Sequence, residues 1–143
     1  MTRRIPGPGK HASTMKLLPQ SEKRDKHKSY PSFSFKYFQS DHPKFNVEEK
    51  ETKYFLKLIT RLADLSGVPV QEIRTSQNKT LRCHTIHWAE TTETGLGIPD
   101  EEQIVDEPWQ FSTSTNAHGR VMGFFIDNVF YIVWLDHNHE VYS

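Results

Sequence analysis

The chain has 143 residues, of which 35% are hydrophobic, and its 18 basic and 18 acidic residues give a formal net charge of zero. No run approaches the roughly 18 consecutive apolar residues of a membrane span, and the start, MTRRIPGPGKHAST, lacks the apolar segment of a secretory signal. We therefore expect a soluble, cytoplasmic protein that makes no membrane contact, and the single cysteine, Cys83, excludes an internal disulfide.

Charge is unevenly distributed along the chain. Residues 1–30 carry eight Lys or Arg against two acids, residues 31–82 carry nine against six, and residues 83–143 carry one against ten. Residues 1–30 also lack any helical or strand period, which predicts a disordered basic leader before a single domain over residues 31–143. The leader either meets an anionic partner or folds back on the acidic half. For a nucleic acid, the expected phosphate contacts are Lys23, Arg24, Lys26 and Lys28.

The first half of the domain predicts one strand and two helices. Ser32 to Phe38 alternates aromatic and polar residues, as a half-buried strand does. Asn46, with Glu49 three residues later, predicts the N-cap of a long helix, and Gly67 predicts its end. Its buried stripe is predicted to contain Tyr54, Phe55, Leu58, Ile59, Leu62 and Leu65, with Arg61 facing elsewhere. Pro69 can open a second, short helix that continues to about residue 76.

The second half predicts four strands. Leu81 to Trp88 and Trp109 to Ser114 are two of them, separated by a long acidic loop over residues 89–108. The other two flank the turn Asp127-Asn128 within residues 119–136, and both faces of this hairpin are apolar. It must therefore be covered on both faces, or covered on one face and docked to a partner on the other.

The turn fixes an expected register for the hairpin. The predicted pairs are Ile126 with Val129, Phe124 with Tyr131, Met122 with Val133 and Arg120 with Leu135. The opposite face is predicted to hold Val121, Phe125, Phe130, Ile132 and Trp134. The fold class that follows is α+β: a mainly antiparallel sheet of about four to five strands around hairpin 119–136, with one long and one short helix on one face.

The same register gathers polar residues at one end of the hairpin. Arg120 begins one strand and Asp136 and His137 end the other, with His139 and Tyr142 close behind in sequence. Arg can steady the charge that develops on a phosphate while His or a carboxylate moves protons, so these residues are candidate catalytic groups. Glu90, at the end of a predicted strand, is a further candidate general base. The alternative is an Arg120–Asp136 ion pair that only ties the strand ends together.

Histidines and aromatic residues offer two other interpretations. His137 and His139 alternate along a strand and could chelate a metal, whereas His84 and His87 would lie on opposite faces. Without a cysteine pair or an HExxH motif, we expect no metal site and no cofactor. The tryptophans and the aromatic residues of SFSFKYF could stack bases, but no RNP signature accompanies them, and core packing is the expected role. Cys83 is expected to be a small buried or half-buried side chain.

A family resemblance rests on the layout of these elements. A first strand (SFSFKYF), a helical pair and a terminal meander closing on RVMGFFIDNVFYIVWLDHNHEVY resemble the RelE/ParE-like toxins of bacterial toxin–antitoxin modules. The resemblance implies a small α+β protein, and its RNase members cut ribosome-bound mRNA with residues on the sheet. Arg120 and the segment from His139 to Tyr142 correspond to the Arg and the His-Tyr end of that pattern. The chain also resembles a group of small prokaryotic proteins, a likeness that implies no activity.

Three functions from different classes therefore compete. The first is a RelE-like endoribonuclease acting on RNA by acid/base chemistry, with RNA, the ribosome or an antitoxin as partners, and it is the one that names testable residues. The second is a non-enzymatic module that binds protein or nucleic acid in a prokaryotic defence or toxin–antitoxin system. The third is a metal-dependent hydrolase. An open cleft at the hairpin end favours the nuclease, whereas an exposed apolar face or edge favours the binding module.

Overall fold

A computed structural model of the chain describes residues 27–75, 83–113, 119–138 and 141. The elements, in chain order, are β1 (Ser32–Ser34), α1 (Thr52–Leu65), α2 (Val70–Thr75), β2 (His84–Thr85), a 3-10 turn (Trp88–Glu90), α3 (Glu101–Ile104), β3 (Pro108–Ser112), β4 (Arg120–Ile126) and β5 (Val129–Asp136). The α+β class is confirmed. None of the described helices is long and apolar enough to cross a membrane.

The five strands form one mixed sheet in the order β1-β5-β4-β3-β2. Strands β2 to β5 pair antiparallel, whereas β1 pairs parallel to β5, so the sheet is mainly but not purely antiparallel. The parallel edge follows from the connection, because α1 and α2 lie between β1 and the meander that begins at β2. Asn128 fixes β1 beside the hairpin turn, since its carbonyl accepts from Ser32 N at 3.0 Å and its Nδ2 donates to Tyr30 O at 3.0 Å.

The hairpin turn lies where the sequence predicts it. Asp127 has a φ of +53° and lies between β4 and β5, and Asp accepts this left-handed conformation better than most residues. The two pairs nearest the turn are confirmed, namely Ile126 with Val129 and Phe124 with Tyr131. The register of the hairpin is therefore correct near its turn.

Further from the turn, a β-bulge shifts the register by one residue. Gly123 pairs with Ile132 and Met122 pairs with Trp134, so Val133 has no counterpart on β4. The predicted pairing of Met122 with Val133 is wrong for this reason. Gly123 makes the close approach possible, because a Cβ at this position would collide with the backbone carbonyl of Tyr131.

The bulge also changes which face each residue of β5 occupies. Val133 and Trp134 both pack on the same side of the sheet, and Leu135 packs on the other. Arg120 consequently pairs with Asp136 and not with Leu135, and Trp134 does not share a face with Ile132 as predicted. A single extra residue thus inverts the alternation of the strand end.

Both faces of the sheet are covered. On the helix face, α1 and α2 contribute Leu58, Leu65, Val70 and Ile73, which pack on Trp109, Phe111, Val121, Phe125, Phe130, Ile132 and Leu135. On the loop face, irregular segments contribute Phe45, Ile86, Leu96, Ile98 and Val141, which pack on Met122, Phe124, Val133 and Trp134. Helices α1 and α2 therefore lie on one face, as predicted, whereas α3, within the predicted acidic loop, packs through Ile104 on the loop face. Each fully buried large apolar side chain contributes roughly 1.5–3 kcal/mol.

Helix α1 begins later than predicted. Asn46 caps a turn and not the helix, because its Oδ1 accepts from Glu48 N at 2.8 Å, while Lys50 N donates to Val47 O at 3.1 Å. Asn favours such local turns as strongly as helix caps, and the helix then starts at Thr52 after Glu51, which makes no side-chain cap. The helix ends at Leu65, two residues before Gly67, as predicted.

Three predicted strands are shorter in the structure. Strand β1 ends at Ser34, four residues before Phe38, and Phe35 is exposed. The predicted strand from Leu81 to Trp88 is reduced to His84–Thr85, followed by the 3-10 turn, and its first two residues lie outside the described ranges. Strand β3 spans Pro108–Ser112, whereas the predicted end at residue 114 lies outside them. Alternation alone overestimates strand length where no neighbouring strand continues the ladder.

Candidate functional site

The end of the sheet opposite the hairpin turn brings several predicted catalytic residues together. Ser112 of β3 pairs with Arg120 of β4, and Arg120 pairs with Asp136 of β5, which forms a polar row across three strands. His137 follows Asp136 immediately, and Tyr54 of α1 packs edge-on against its ring, with 6.5 Å between ring centroids. We call these five residues the polar end.

The polar row is buried. Arg120 is 9% exposed, Asp136 1% and Ser112 0%. The Nη1 group of Arg120 donates to Gly119 O at 3.0 Å, and Asp136 Oδ2 accepts from Val141 N at 2.9 Å. Both charged side chains therefore hold backbone segments at the strand ends, and the Asp136 contact fastens the segment that follows β5.

His137 is held in one orientation and one tautomer. Its Nε2 lies 2.9 Å from Asn46 O, and because a carbonyl oxygen only accepts, Nε2 must carry the proton and donate. The other ring nitrogen, Nδ1, is buried and has no hydrogen-bond partner among the residues that the structure describes. A fixed imidazole with a free acceptor nitrogen is the form that a general base requires, although here the nitrogen faces the protein interior.

Tyr54 and Ser112 are the other unsatisfied members of the polar end. The Tyr54 hydroxyl and Ser112 Oγ are both buried, and neither has a hydrogen-bond partner among the described residues. Burial, and to a lesser extent the charge of Asp136, raise the pKa of Tyr54 to about 12. The phenol therefore stays protonated at neutral pH, and its burial costs free energy that no hydrogen bond recovers.

The remaining candidate residues are Glu90, His139 and Tyr142 for catalysis and the four leader residues for phosphate contacts. Glu90 is exposed in the 3-10 turn, and the neighbouring segment reaches Val141 through a 2.6 Å hydrogen bond from Thr92 N to Val141 O. His139 and Tyr142 lie outside the described residues, as do the leader residues Lys23, Arg24 and Lys26, whereas Lys28 is exposed.

Within the described ranges, no group of three or more His, Cys, Asp or Glu side chains could hold a metal ion. His84 and His87 are both exposed, and His84 Nε2 lies 2.8 Å from the side-chain nitrogen of Gln110. His42 accepts backbone hydrogen bonds at Nδ1 from Lys44 and Phe45, which gives it a structural role. The predicted chelate of His137 with His139 lies partly outside the described chain.

The aromatic residues and the cysteine mostly serve the core. Trp109 and Trp134 are 6% and 2% exposed, and Trp134 donates from Nε1 to Gln39 Oε1 at 2.6 Å. Cys83 is half-buried, and burial raises the pKa of its thiol to about 12, so it carries almost no thiolate at neutral pH. The core packing predicted for these tryptophans and the buried or half-buried position predicted for Cys83 are confirmed.

Two pockets lined by described residues lie away from the polar end. One, of about 850 Å³, is enclosed by residues 27–29, α2 and the turn Asp127-Asn128. The other, of about 740 Å³, lies beside α3, with Trp88 in its wall and acidic side chains around it. Neither pocket contains a predicted catalytic residue, so these cavities do not give access to the polar end.

The exposed surface of α1 is a feature that the sequence analysis missed. Leu56 and Ile59 are each 62% exposed, although Ile59 was assigned to the buried stripe. Arg61, in contrast, is 8% exposed and lies against the protein. We define the outer face of α1 by its exposed residues: Thr52, Lys53, Leu56, Lys57, Ile59, Thr60 and Ala63. The available signal was Leu56, which is rotated by about 200° from the buried Leu58.

Comparison with protein-family models, with curated proteins and with solved structures finds no match for this chain. Its function must therefore be argued from its own geometry, which offers a buried polar end and an exposed apolar face on α1.

Proposed function

We propose that this protein is a non-enzymatic protein-binding module and that the outer face of α1 is its docking surface. The observation that carries the proposal is the exposure of Leu56 and Ile59, 62% each, on neighbouring turns of one helix. Exposed apolar side chains grouped on one element are typical of interaction sites, because their burial by a partner is favourable by roughly 25 cal/mol per Å².

The chemistry of this face defines the occupant. Ala63 extends the apolar stripe by one turn, and Lys53 and Lys57 lie along one of its margins. A helix that carries its own apolar stripe and an acidic residue beside it would satisfy both features at once. We therefore take the occupant to be a helix of this kind in another protein molecule.

The state of the polar end supports a binding role over a catalytic one. A catalytic group must reach its substrate, but Arg120 and Asp136 are almost entirely buried and are hydrogen-bonded to backbone atoms. The hydroxyl of Tyr54 has a pKa of about 12 and stays protonated at neutral pH, so it is poorly suited to proton transfer. These residues stabilise the end of the sheet that α1 packs against.

A peptide titration tests the proposal. A fluorescein-labelled helical peptide of about four turns, with leucines at three-four spacing and glutamates along one margin, is added to the full chain, and its anisotropy is measured. We expect saturable binding that falls at least about tenfold with Ile59→Glu and is unchanged with Gln71→Glu, an exposed site on α2. Equal binding of a scrambled peptide, or binding that Ile59→Glu leaves intact, would refute the proposal.

RNA cleavage of the RelE kind is the second candidate function. One observation favours it: Arg120, Asp136 and His137 occur together at one sheet end, and Nδ1 of His137 has no hydrogen-bond partner in the described part of the chain. RNA or the ribosome would then be the substrate partner, and an antitoxin the protein that binds α1.

Growth and total RNA distinguish the two candidates. A bacterial host expressing the wild-type chain is compared with hosts expressing His137→Ala or His87→Ala, the latter an exposed histidine away from the polar end. The binding module predicts intact RNA in all three cultures. Growth arrest with RNA cleavage that His137→Ala abolishes and His87→Ala preserves would replace the binding module with the nuclease.

A further inference from the structure

The outer face of α1 complements itself. Helix α1 has 14 residues and is therefore about 21 Å long, with Leu56, Ile59 and Ala63 along the middle of its exposed side. Viewed down the axis, Lys53, Asp64 and Lys57 lie about 60°, 80° and 100° from Leu56, so all three charges share one margin of the stripe. The lysines are at the N-terminal half of that margin, and the acid is near the C-terminal end.

Lys53, Lys57 and Asp64 make no ion pair within 4.0 Å among the residues that the structure describes. Burial raises the pKa of Asp64, and Arg61 offsets part of that rise from a greater distance. A cation placed beside Asp64 from outside would therefore meet a carboxylate that has no cation in direct contact.

We propose that the partner helix is α1 of a second copy of this chain, packed antiparallel across a two-fold axis. This inference rests on the proposed function and names its partner. When two such helices run antiparallel, the charged margin of one faces the charged margin of the other, and the two margins run in opposite directions. Lys53 and Lys57 of each copy then lie beside Asp64 of the other, and the two apolar stripes meet between them.

The opposite orientation is less favourable. In a parallel two-fold pair the charged margins would lie on opposite sides of the contact, so Lys53, Lys57 and Asp64 of each copy would face the uncharged margin of the other and gain no attraction. The antiparallel pairing makes each attraction twice, since a two-fold axis repeats every contact. The margin away from the charges is also apolar, because it carries the partly exposed Phe55 and Leu62.

The size of the surface sets the strength of the dimer. A single helix face about 21 Å long is smaller than the interface of a stable dimer, which buries about 1,600 Å² in total. We therefore expect a reversible dimer with a Kd of about 10–100 µM, whose mass depends on concentration.

Charge reversal tests the geometry directly. Sedimentation equilibrium of the full chain from about 5 to 500 µM is compared for wild type, Asp64→Lys and the double variant Lys53→Asp/Lys57→Asp. Each variant should dimerise at least about tenfold more weakly alone, because like charges then face each other. An equimolar mixture of the two should regain dimerisation, because every facing pair in the mixed dimer is opposite in charge. Glu72→Lys on α2, a matched reversal away from the face, should dimerise like wild type.

Each result decides for or against the inference. A wild-type chain that is monomeric at about 500 µM overturns it, and so does a mixture that fails to regain dimerisation. A monomeric chain that still binds the acidic helical peptide through Ile59 refutes the second copy and leaves the binding module standing. A monomeric chain that does not bind the peptide refutes both.

Discussion

Gly123→Ala should destabilise the protein far more than the same substitution at Gly67, outside the sheet. Gly123 lies at the bulge between β4 and β5, where a Cβ would collide with the carbonyl oxygen of Tyr131. The same Cβ would lie 2.9 Å from the carbonyl carbon of Tyr131 and 3.0 Å from Cε2 of Phe130. Two of the three obstacles are backbone atoms of the paired strand, so no side-chain rotation can relieve the contact and the strands must separate.

The magnitude follows from that geometry. Overpacking a buried site costs about 1–3 kcal/mol, and an obstacle made of backbone places this substitution at or above the upper end, near 3 kcal/mol. For a chain of this size, about 3 kcal/mol corresponds to a fall in Tm of about 10 °C. Urea and thermal unfolding followed by circular dichroism measure both quantities.

Gly67→Ala is the matched control. Gly67 follows the end of α1. Among the described glycines only Gly97 has a positive φ, so alanine at position 67 adopts the existing backbone conformation without strain. We expect its free energy of unfolding to stay within about 1 kcal/mol of wild type. If Gly123→Ala unfolds with the same free energy as Gly67→Ala, the close approach at the bulge is wrong.

Three further predictions concern buried polar groups. Gln39→Leu should lower the free energy of unfolding by about 1–3 kcal/mol, measured in urea, because the buried Trp134 Nε1 loses its acceptor; an unchanged midpoint contradicts this. Tyr54→Phe should be neutral or stabilising, because the hydroxyl has no hydrogen-bond partner within the described ranges. Since the pKa of Tyr54 is raised from 10.0 to about 12, wild type should lose about 1–2 kcal/mol relative to this variant between pH 10 and 12, and parallel pH profiles would refute the cause. Cys83 should react with a thiol reagent at pH 8 much more slowly than free cysteine; equal rates would contradict its raised pKa.

The hairpin was predictable because its signal is local. Aromatic and β-branched residues on both sides of Asp127-Asn128 specify two strands, a turn and the first pairs. The bulge was not predicted, since Val133 and Trp134 are both apolar and suit either register. Gly123 within a strand was the available signal, because a glycine there often marks a bulge.

The helix illustrates a different limit. Leu58, Leu62 and Leu65 recur at helical spacing and predict an apolar stripe, which the structure confirms. The spacing does not fix how far around the helix burial extends, so Ile59, at the margin, was placed on the wrong side. Only the position of the sheet under α1 decides that question, and this position is set by contacts distant in sequence.

The polar end was located but not understood from sequence. The turn places Arg120 and Asp136 near each other even when the strand register shifts by one residue. Their hydrogen bonds run to irregular segments, since Arg120 donates to Gly119 O before β4 and Asp136 accepts from Val141 N after β5. Such segments have no periodicity that a sequence could display. The sequence therefore does not distinguish an exposed catalytic row of residues from a buried structural one.

The order of the strands has a consequence for truncated forms of the chain. The long apolar strand β5 is bordered by β1, which pairs only with Val129, Phe130 and Tyr131, and by the hydrogen bond from Gln39 N to Val133 O. Removal of the segment before residue 40 would leave the hydrogen-bonding groups of β5 open beside its apolar side chains. An open apolar edge pairs readily with the same edge of another molecule, so the short strand β1 and the segment through Gln39 protect β5 from edge-to-edge polymerisation.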